Sequence, residues 1–212
     1  MGKRVIPVVS VIGRANTGKT TLLERLIPAL RSRGLKIGTV KHHAGDFEID
    51  REGKDSYRHK KAGASVAMIT SPEKIGLVAD VTQELTLSEL VGLYMRDVDL
   101  VITEGYKREH MPKLEVYVYQ EGLDPLAKQD PDVIAIIADR PIHTHVPVFL
   151  RDDPEAIADF IVERLKLGAR QKDKAERLKV KDSRYEAKKS NRTEVRGITR
   201  NPSRVFSLYT IH

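Results

Sequence analysis

The fold is decided by residues 5–21, which read VIPVVSVIGRANTGKTT. The run from Val5 to Ile12 is apolar except at Pro7 and Ser10, a pattern typical of a strand buried on both faces of a parallel sheet. The residues from Gly13 to Thr20 follow at once and match the phosphate-binding pattern G-x-x-x-x-G-K-[ST]. A helix is predicted directly afterwards, so the motif stands in the strand–loop–helix context that such a loop requires.

This loop predicts a site for the phosphates of a nucleotide. Its backbone amides converge on phosphate oxygens, and the following helix directs its partial positive end at them. We expect Lys19 to contact the β- and γ-phosphates as a candidate catalytic residue, and the Thr20 hydroxyl to ligate Mg²⁺. A chance match in an ordinary glycine turn is the alternative. The candidate nucleotide-binding residues of the loop are Gly13, Arg14, Ala15, Asn16, Thr17, Gly18, Lys19, Thr20 and Thr21.

Outward from this loop, segments with strand patterns alternate with segments at helical spacing. This alternation predicts an α/β fold: a P-loop NTPase-like, mostly parallel sheet flanked by helices. The turn Ser71-Pro72-Glu73-Lys74 predicts a hairpin, and Thr86-Leu87-Ser88-Glu89 fits a capping box. The predicted strands cover 5–12, 35–40, 66–70, 75–79, 98–103, 114–119, 133–138 and 146–149, and the predicted helices cover 19–33, 56–62, 86–95 and a segment beginning at 154.

A carboxylate is placed to complete a magnesium site. Residues 98–105 read VDLVITEG, so Glu104 lies at the carboxyl end of an apolar strand. Phosphate–Mg²⁺ sites usually take a carboxylate from such a position on a neighbouring strand, and we expect Glu104 to bind Mg²⁺ or its water shell. A solvated loop carboxylate is the alternative.

A third cluster, KHHAGDFEID at 41–50, follows the second predicted strand, with Gly-Lys-Asp-Ser at 53–56. Asp46 or Asp50 is a candidate catalytic residue that would orient a water for attack on the γ-phosphate. The pair His42 and His43 raises a transition-metal site as an alternative. Neighbouring side chains of an extended segment point to opposite sides, however, which favours a loop that responds to the nucleotide.

Base recognition rests on one residue. Asp139 ends the apolar strand segment 136–138, and a carboxylate there would accept hydrogen bonds from guanine that adenine cannot donate. The alternative is an aspartate that only opens the turn at 139–141.

Charge divides the 212 residues into two parts. The whole chain has a net charge of +7, from 37 Lys and Arg against 30 Asp and Glu. Residues 166–212 carry 14 basic and 5 acidic side chains, which leaves 23 and 25 for residues 1–165. We therefore predict a nucleotide-binding domain over 1–167 and a basic C-terminal extension over 168–212. The body is slightly acidic, so nucleic acid is not its expected partner; a nucleic-acid-binding module built on the extension is an alternative.

Composition indicates the compartment. The chain has no cysteine, which excludes a disulfide framework and thiolate metal sites and suits a reducing, cytoplasmic setting. No apolar run approaches the ~20 residues of a membrane span, and no signal peptide opens the sequence.

The motifs together resemble the molybdopterin-guanine dinucleotide biosynthesis protein B (MobB) family over roughly residues 5–166. The histidine segment combined with Gly-Lys-Asp-Ser is more specific than the phosphate loop alone. The segments that carry the resemblance are Gly18-Lys19-Thr20-Thr21-Leu22-Leu23, Lys41 to Asp46, Gly53-Lys54-Asp55-Ser56, Ala62-Gly63-Ala64 and Thr103-Glu104-Gly105-Tyr106-Lys107.

The resemblance implies a homodimeric GTP-binding protein with weak GTPase activity that assists formation of molybdopterin guanine dinucleotide. The implied cofactors are GTP and Mg²⁺. The implied partners are the molybdenum cofactor guanylyltransferase and the molybdenum-inserting protein. Two features depart from the family: Ala44 and Gly45 stand where members often carry histidines, and the basic extension has no recognised counterpart. A P-loop small-molecule or nucleoside kinase is the alternative function.

Arg14 carries a separate hypothesis. Related dimeric P-loop proteins place a lysine at this loop position and send it to the partner's nucleotide, and a guanidinium can make the same contact in bidentate form. A solvent-facing arginine is the alternative.

Overall fold

Strands and helices alternate along residues 5–168, the part of the chain that the computed structural model describes. The helices are α1 (Lys19–Ser32), α2 (Asp55–Lys61), α3 (Leu87–Tyr94) and α4 (Pro154–Arg164), with a 3-10 turn at Leu126–Lys128. The strands are β1 (Val8–Gly13), β2 (Ile37–Lys41), β3 (Val66–Thr70), β4 (Ile75–Ala79), β5 (Leu100–Glu104), β6 (Lys113–Tyr117), β7 (Val133–Ala138) and β8 (Val148–Leu150).

Six of these strands form one parallel sheet in the order β2-β5-β1-β6-β7-β8. The central strands β1, β5 and β7 are mostly apolar and almost completely buried, as both faces of a parallel sheet require cover, and β6 also buries Lys113 and Glu115. Strands β2 and β5 lie on one side of β1, and β6, β7 and β8 follow one another on its other side, so the strand order reverses at β1. Ligands of open α/β sheets bind beyond the carboxyl ends of the strands at such a reversal.

Helices α1 and α4 are tied together by one arginine. The Arg33 guanidinium, just past the end of α1, donates to Glu155 Oε2 at 2.6 Å and to Asp159 Oδ1 at 2.7 Å, both on α4. Helix α4 buries Ile157, Ala158 and Ile161. These contacts hold the helix that begins at the phosphate loop.

The predicted hairpin is confirmed, but it stands apart from the main sheet. Strands β3 and β4 pair antiparallel from Val66 opposite Ala79 to Thr70 opposite Ile75 and form a separate two-stranded sheet. Helix α2 packs against β3. After the hairpin, Thr86 caps α3 with the predicted capping box: its Oγ1 accepts from Glu89 N–H, and Glu89 Oε2 accepts from Thr86 N–H.

The predicted fold class is confirmed, and the errors are at element ends. Strand β1 begins at Val8 rather than Val5, since Pro7 has no N–H to donate to a ladder, although its carbonyl accepts from Val101 N–H. Strand β6 ends at Tyr117 rather than Tyr119, because the Tyr119 N–H donates to a side chain instead of to a strand.

The chain divides into two units after Ile161. The first contains both sheets. Of the second, the structure describes only 162–168, where the Lys166 N–H donates to Glu163 O at 3.1 Å. The domain boundary after residue 167 stays a prediction, and the basic extension 169–212 lies outside the described residues. Among the described residues, no helix is both long enough and apolar enough to cross a membrane.

Candidate functional site

The loop between β1 and α1 has the close backbone packing that its glycines predict. A Cβ on Gly13 would stand 2.5 Å from Val116 O and 2.9 Å from Thr17 Oγ1, so a side chain cannot be accommodated there without moving the β6 backbone. Gly18 is the N-cap of α1 and has a φ of 85°, in the region that favours glycine. Asn16 is also left-handed, with a φ of 59°. The loop therefore curls back over the amino end of α1, the arrangement in which backbone amides converge on an anion.

Lys19 lies inside this curl. Its Nζ donates to Arg14 O at 2.8 Å, and the same carbonyl accepts from Thr17 Oγ1 at 3.0 Å. Burial lowers the pKa of the Lys19 ammonium below its ordinary value, and the nearby Glu104 charge opposes that shift. An ammonium that has lost hydration benefits most from an anionic partner. Lys19 is thus half-buried within the loop, whereas the side chains of Arg14, Ala15 and Asn16 face solvent.

The structure brings together Thr20 and Glu104, the two residues predicted to ligate a metal. Thr20 Oγ1 lies 3.4 Å from Glu104 Oε2. Glu104 ends β5, directly opposite Val11 of β1 and Lys41 of β2, and Lys41 Nζ lies 3.8 Å from Glu104 Oε1. The loop from Gly13 to Thr20 is called the phosphate cradle below. The Thr20 hydroxyl and the Glu104 carboxylate offer oxygen ligands beside this cradle, and oxygen is the ligand atom that Mg²⁺ prefers.

The segment after Glu104 is held by contacts that sequence reasoning missed. Ser10 Oγ donates to Gly105 O at 2.7 Å, and Tyr106 has a left-handed φ of 51°. The His42 N–H donates to Glu104 O at 3.1 Å. The His42 and Tyr106 rings contact each other in a tilted arrangement, with 5.1 Å between their centroids. His42 Nε2 also pairs with Glu84 Oε1 at 2.9 Å. No spacing in the sequence connects these residues, because Ser10 and His42 meet this segment only through the pairing of β1 and β2 with β5.

The aspartates predicted to position a water are not held against the cradle. Asp46 Oδ1 accepts from Phe47 N–H at 2.8 Å, and Asp50 Oδ1 accepts from Arg51 N–H at 2.8 Å. Both lie in an exposed loop between β2 and α2. His43 bonds within this loop, accepting from Gly45 N–H at 3.0 Å, while His42 turns toward Glu84. Within residues 5–168 no group of three or more His, Asp or Glu side chains could hold a metal ion.

Asp139 lies at the same edge of the sheet, beyond β7. Its Oδ1 accepts from Tyr119 N–H at 3.0 Å, and this hydrogen bond lowers the pKa of the Asp139 carboxyl. Nearby, the loops that follow β6 and β7 enclose an open pocket of about 500 Å³, with Tyr117, Tyr119 and Pro141 in its lining. The Asp139 carboxylate therefore joins the ends of β6 and β7, as a turn residue would, and its partner Tyr119 lines the pocket.

Arg151 is a basic residue of this edge that the sequence analysis missed. It follows β8 directly, and its Nη1 lies 3.3 Å from the position of a Cβ on Gly18. The signal that identified Glu104, a charged residue at the carboxyl end of a strand, also applies to Arg151. The Asp-Asp-Pro sequence after it points instead to a helix-capping turn, which obscured that signal.

The fold and the loop define the class of protein: this is a P-loop nucleotide-binding protein. The model of the family described as "Molybdopterin guanine dinucleotide synthesis protein B" matches residues 8–139. The molybdopterin-guanine dinucleotide biosynthesis adapter protein of Escherichia coli (strain K12) is 36% identical over 168 residues, which span 76% of this chain and 95% of that protein. The chain therefore belongs to the MobB family.

Two further comparisons agree with that assignment. The adapter protein of the same description from Haemophilus influenzae is 34% identical over 157 residues, 74% of this chain and 88% of that protein. The crystal structure of Bacillus subtilis MobB superposes with a TM-score of 0.61 at 31% identity, covering 74% of this chain and 97% of that one. Neither the described residues nor these relatives favour the kinase alternative.

Proposed function

We propose that this chain is a GTP-binding adapter with slow GTPase activity that assists formation of molybdopterin guanine dinucleotide. The observation that carries the proposal is the closed loop from Gly13 to Thr20 with Glu104 beside Thr20 at 3.4 Å. The relatives that are named as adapters in this biosynthesis match this chain over 95% and 88% of their own length. An adapter of this kind needs a nucleotide site and a surface for its partners more than it needs a fast chemical step.

The choice of GTP over ATP rests on Asp139. One of its carboxylate oxygens accepts from Tyr119 N–H, and Oδ2 makes no hydrogen bond with another described residue. That oxygen can accept from the N–H groups of guanine, which adenine lacks. Two tyrosines, Tyr117 and Tyr119, line the neighbouring pocket and offer ring faces on which a base could stack.

Mg²⁺ fits the donor set at Thr20 and Glu104, both of which present oxygen. When bound, the ion would neutralise charge that develops on the β- and γ-phosphate oxygens. The chain's own residues would orient the phosphates: the loop amides would surround them, and Lys19 Nζ, which now donates to Arg14 O, would donate to a phosphate oxygen instead. Asp46 and Asp50 remain candidates for positioning water, and reaching the γ-phosphate would require their loop to move.

A nucleotide titration tests the site. GTP and ATP are titrated in the presence of Mg²⁺ against the full chain, Lys19→Ala and Lys74→Ala, whose exposed lysine lies in the hairpin turn. We expect GTP to bind more tightly than ATP, and Lys19→Ala to weaken GTP binding at least about tenfold, since a charge-assisted contact is lost. Lys74→Ala should bind as the unaltered chain does. Equal affinity for both nucleotides would remove the guanine assignment.

The proposal extends to partners. We expect a homodimer that binds the molybdenum cofactor guanylyltransferase and the molybdenum-inserting protein, in a reducing compartment such as the cytoplasm. Arg14 remains a candidate for contacting the nucleotide of the second subunit. Sedimentation of the purified chain measures the dimer. Binding to purified guanylyltransferase, with GTP and without nucleotide, tests the adapter role, and no binding in either state would contradict it.

A further inference from the structure

Arg151 connects the phosphate loop with the ends of three strands. Its N–H donates to Ala138 O at 3.1 Å, at the end of β7, and its Nη2 donates to Tyr117 O at 3.4 Å, at the end of β6. Its Nη1 faces Gly18, the glycine that precedes Lys19. The guanidinium is half-buried, so its position is set by the strand ends around it.

The hydrogen-bonding capacity of this guanidinium is mostly unused. The Nε of Arg151 is buried and has no hydrogen-bond partner among residues 5–168, and the contact with Tyr117 O is long. No carboxylate of the described residues lies within 4.0 Å of it. A half-buried guanidinium with unused N–H donors and no carboxylate in direct contact can still bind an anionic partner.

The position of Arg151 in the sheet selects the part of the nucleotide that it meets. Glu104 ends β5, on one side of β1, and under the proposed function it marks the end of the cradle where the γ-phosphate and Mg²⁺ would bind. Arg151 lies on the other side of β1, past the carboxyl ends of β6, β7 and β8. If the γ-phosphate binds beside Glu104 and the base beside Asp139, the α-phosphate would lie between them, on this second side of β1.

We propose that Arg151 is a nucleotide-binding residue that contacts the α-phosphate of a nucleotide seated in the loop. This inference rests on the proposed function, because it requires a nucleotide at Gly13–Thr20. Its guanidinium can donate two parallel hydrogen bonds to phosphate oxygens, which an ammonium cannot do. Since GMP, GDP and GTP all carry the α-phosphate, Arg151 contributes to the affinity for each of them by the same factor. It does not act on the γ-phosphate.

The test compares Arg151→Gln and Arg151→Lys with Arg31→Gln as the matched control. Arg31 is an exposed arginine in the last turn of α1, 12 residues from Lys19 and so about 18 Å along the helix. Affinities for GMP, GDP and GTP are measured by competition, with unfolding temperatures recorded for each variant. We expect Arg151→Gln to weaken all three nucleotides by a similar factor of roughly ten to a hundred, and Arg151→Lys to recover only part of that loss.

The control and the affinities together distinguish a lost α-phosphate contact from other effects of the substitution. Arg31→Gln should leave the affinities for all three nucleotides and the single-turnover hydrolysis of GTP within about twofold of the unaltered chain, because Arg31 lies at the far end of α1. Unchanged affinity in Arg151→Gln, or a loss confined to GTP, overturns the proposal. If Arg151→Gln unfolds, Arg151→Lys decides in its place, since it keeps the charge and the stem. If the unaltered chain binds none of the three nucleotides, the proposed function fails and this inference fails with it, whereas binding by the unaltered chain with no change in Arg151→Gln overturns this inference alone.

Discussion

Strand β5 and the hairpin β3–β4 are similar in sequence and opposite in environment. Strand β5 reads LVITE, and the hairpin strands read VAMIT and IGLVA. Leu100, Val101 and Ile102 have 0% exposure, whereas Val66, Met68 and Ile75 are 55%, 58% and 73% exposed. The phosphate cradle is therefore built on the well-packed part of the molecule, and the hairpin carries apolar surface that the described residues do not cover.

The difference follows from the number of neighbours that each strand has. Strand β5 lies between β1 and β2 with covered faces, so each of its side chains contributes transfer free energy. The hairpin has only two strands and one short helix, α2, none of whose residues is buried. A two-stranded hairpin is only marginally stable by itself. Stability of the cradle should thus depend on β5 and little on the hairpin.

The largest expected effect comes from truncating one isoleucine in each region. Ile102→Ala removes a fully buried side chain of β5 and should lower the free energy of unfolding by about 2–5 kcal/mol. Ile75→Ala removes the same atoms from the hairpin and should cost less than about 1 kcal/mol. Urea denaturation of both variants measures the difference, and a loss at Ile75 as large as that at Ile102 would mean that a second surface covers the hairpin.

A glycine in each region gives a sharper, smaller contrast. In Gly13→Ala the new Cβ would stand 2.5 Å from Val116 O, a backbone atom, so the loop or β6 must shift. We expect a loss of about 1–3 kcal/mol, together with weakened nucleotide binding. In Gly76→Ala the Cβ would meet only the Ile69 Cγ2 methyl at 3.0 Å, which can move, and the effect should stay within about 0.5 kcal/mol. Thermal unfolding with and without GTP tests both, and a Gly13→Ala chain that binds GTP normally contradicts the account of the cradle.

The same contrast explains how far the sequence could be interpreted. The order of strands and helices follows from hydrophobic period, and the meeting of Thr20 with Glu104 follows from the rule that parallel strands end at a common edge. Those inferences use local patterns and one topological rule. The solvent exposure of the hairpin's apolar side chains could not be inferred, because Val66 and Ile102 have the same apolar character and differ only in what covers them.

Long-range pairings account for the residues that were missed. His42 and Glu84 are far apart in the chain and meet beside Glu104. Arg151 follows β8 at one end of the sheet and approaches Gly18 only because its long side chain extends past the end of β6. Neither contact has a fixed spacing. The roles of Asp46, Asp50 and Asp139 stay predictions that the experiments on nucleotide binding and hydrolysis address.

The smallest expected effect on stability comes from Glu115, a carboxylate that is buried in the main sheet. In the hairpin region, by contrast, the Asp80 carboxylate is exposed and pairs with Lys60. Glu115 of β6 accepts from Leu126 N–H at 2.7 Å and from Ala127 N–H at 2.9 Å. Burial raises the pKa of the Glu115 carboxyl above its ordinary value of about 4.5, and the two hydrogen bonds only partly oppose it. The folded state therefore binds more protons than the unfolded state between these two pKa values.

Stability from this group is consequently present below pH 4.5 and is lost as the pH rises through the folded pKa of Glu115. Glu115→Gln cannot titrate, so the free energy of unfolding of the unaltered chain relative to this variant should fall as the pH is raised across that window. Denaturant titrations at several pH values between about 4 and 7 measure the relative slope. The absolute stability of the variant is a separate matter, because a glutamine amide accepts from only one of the two N–H groups. A relative slope of zero, or one of the opposite sign, would show that the two backbone N–H groups outweigh the cost of burying the charge.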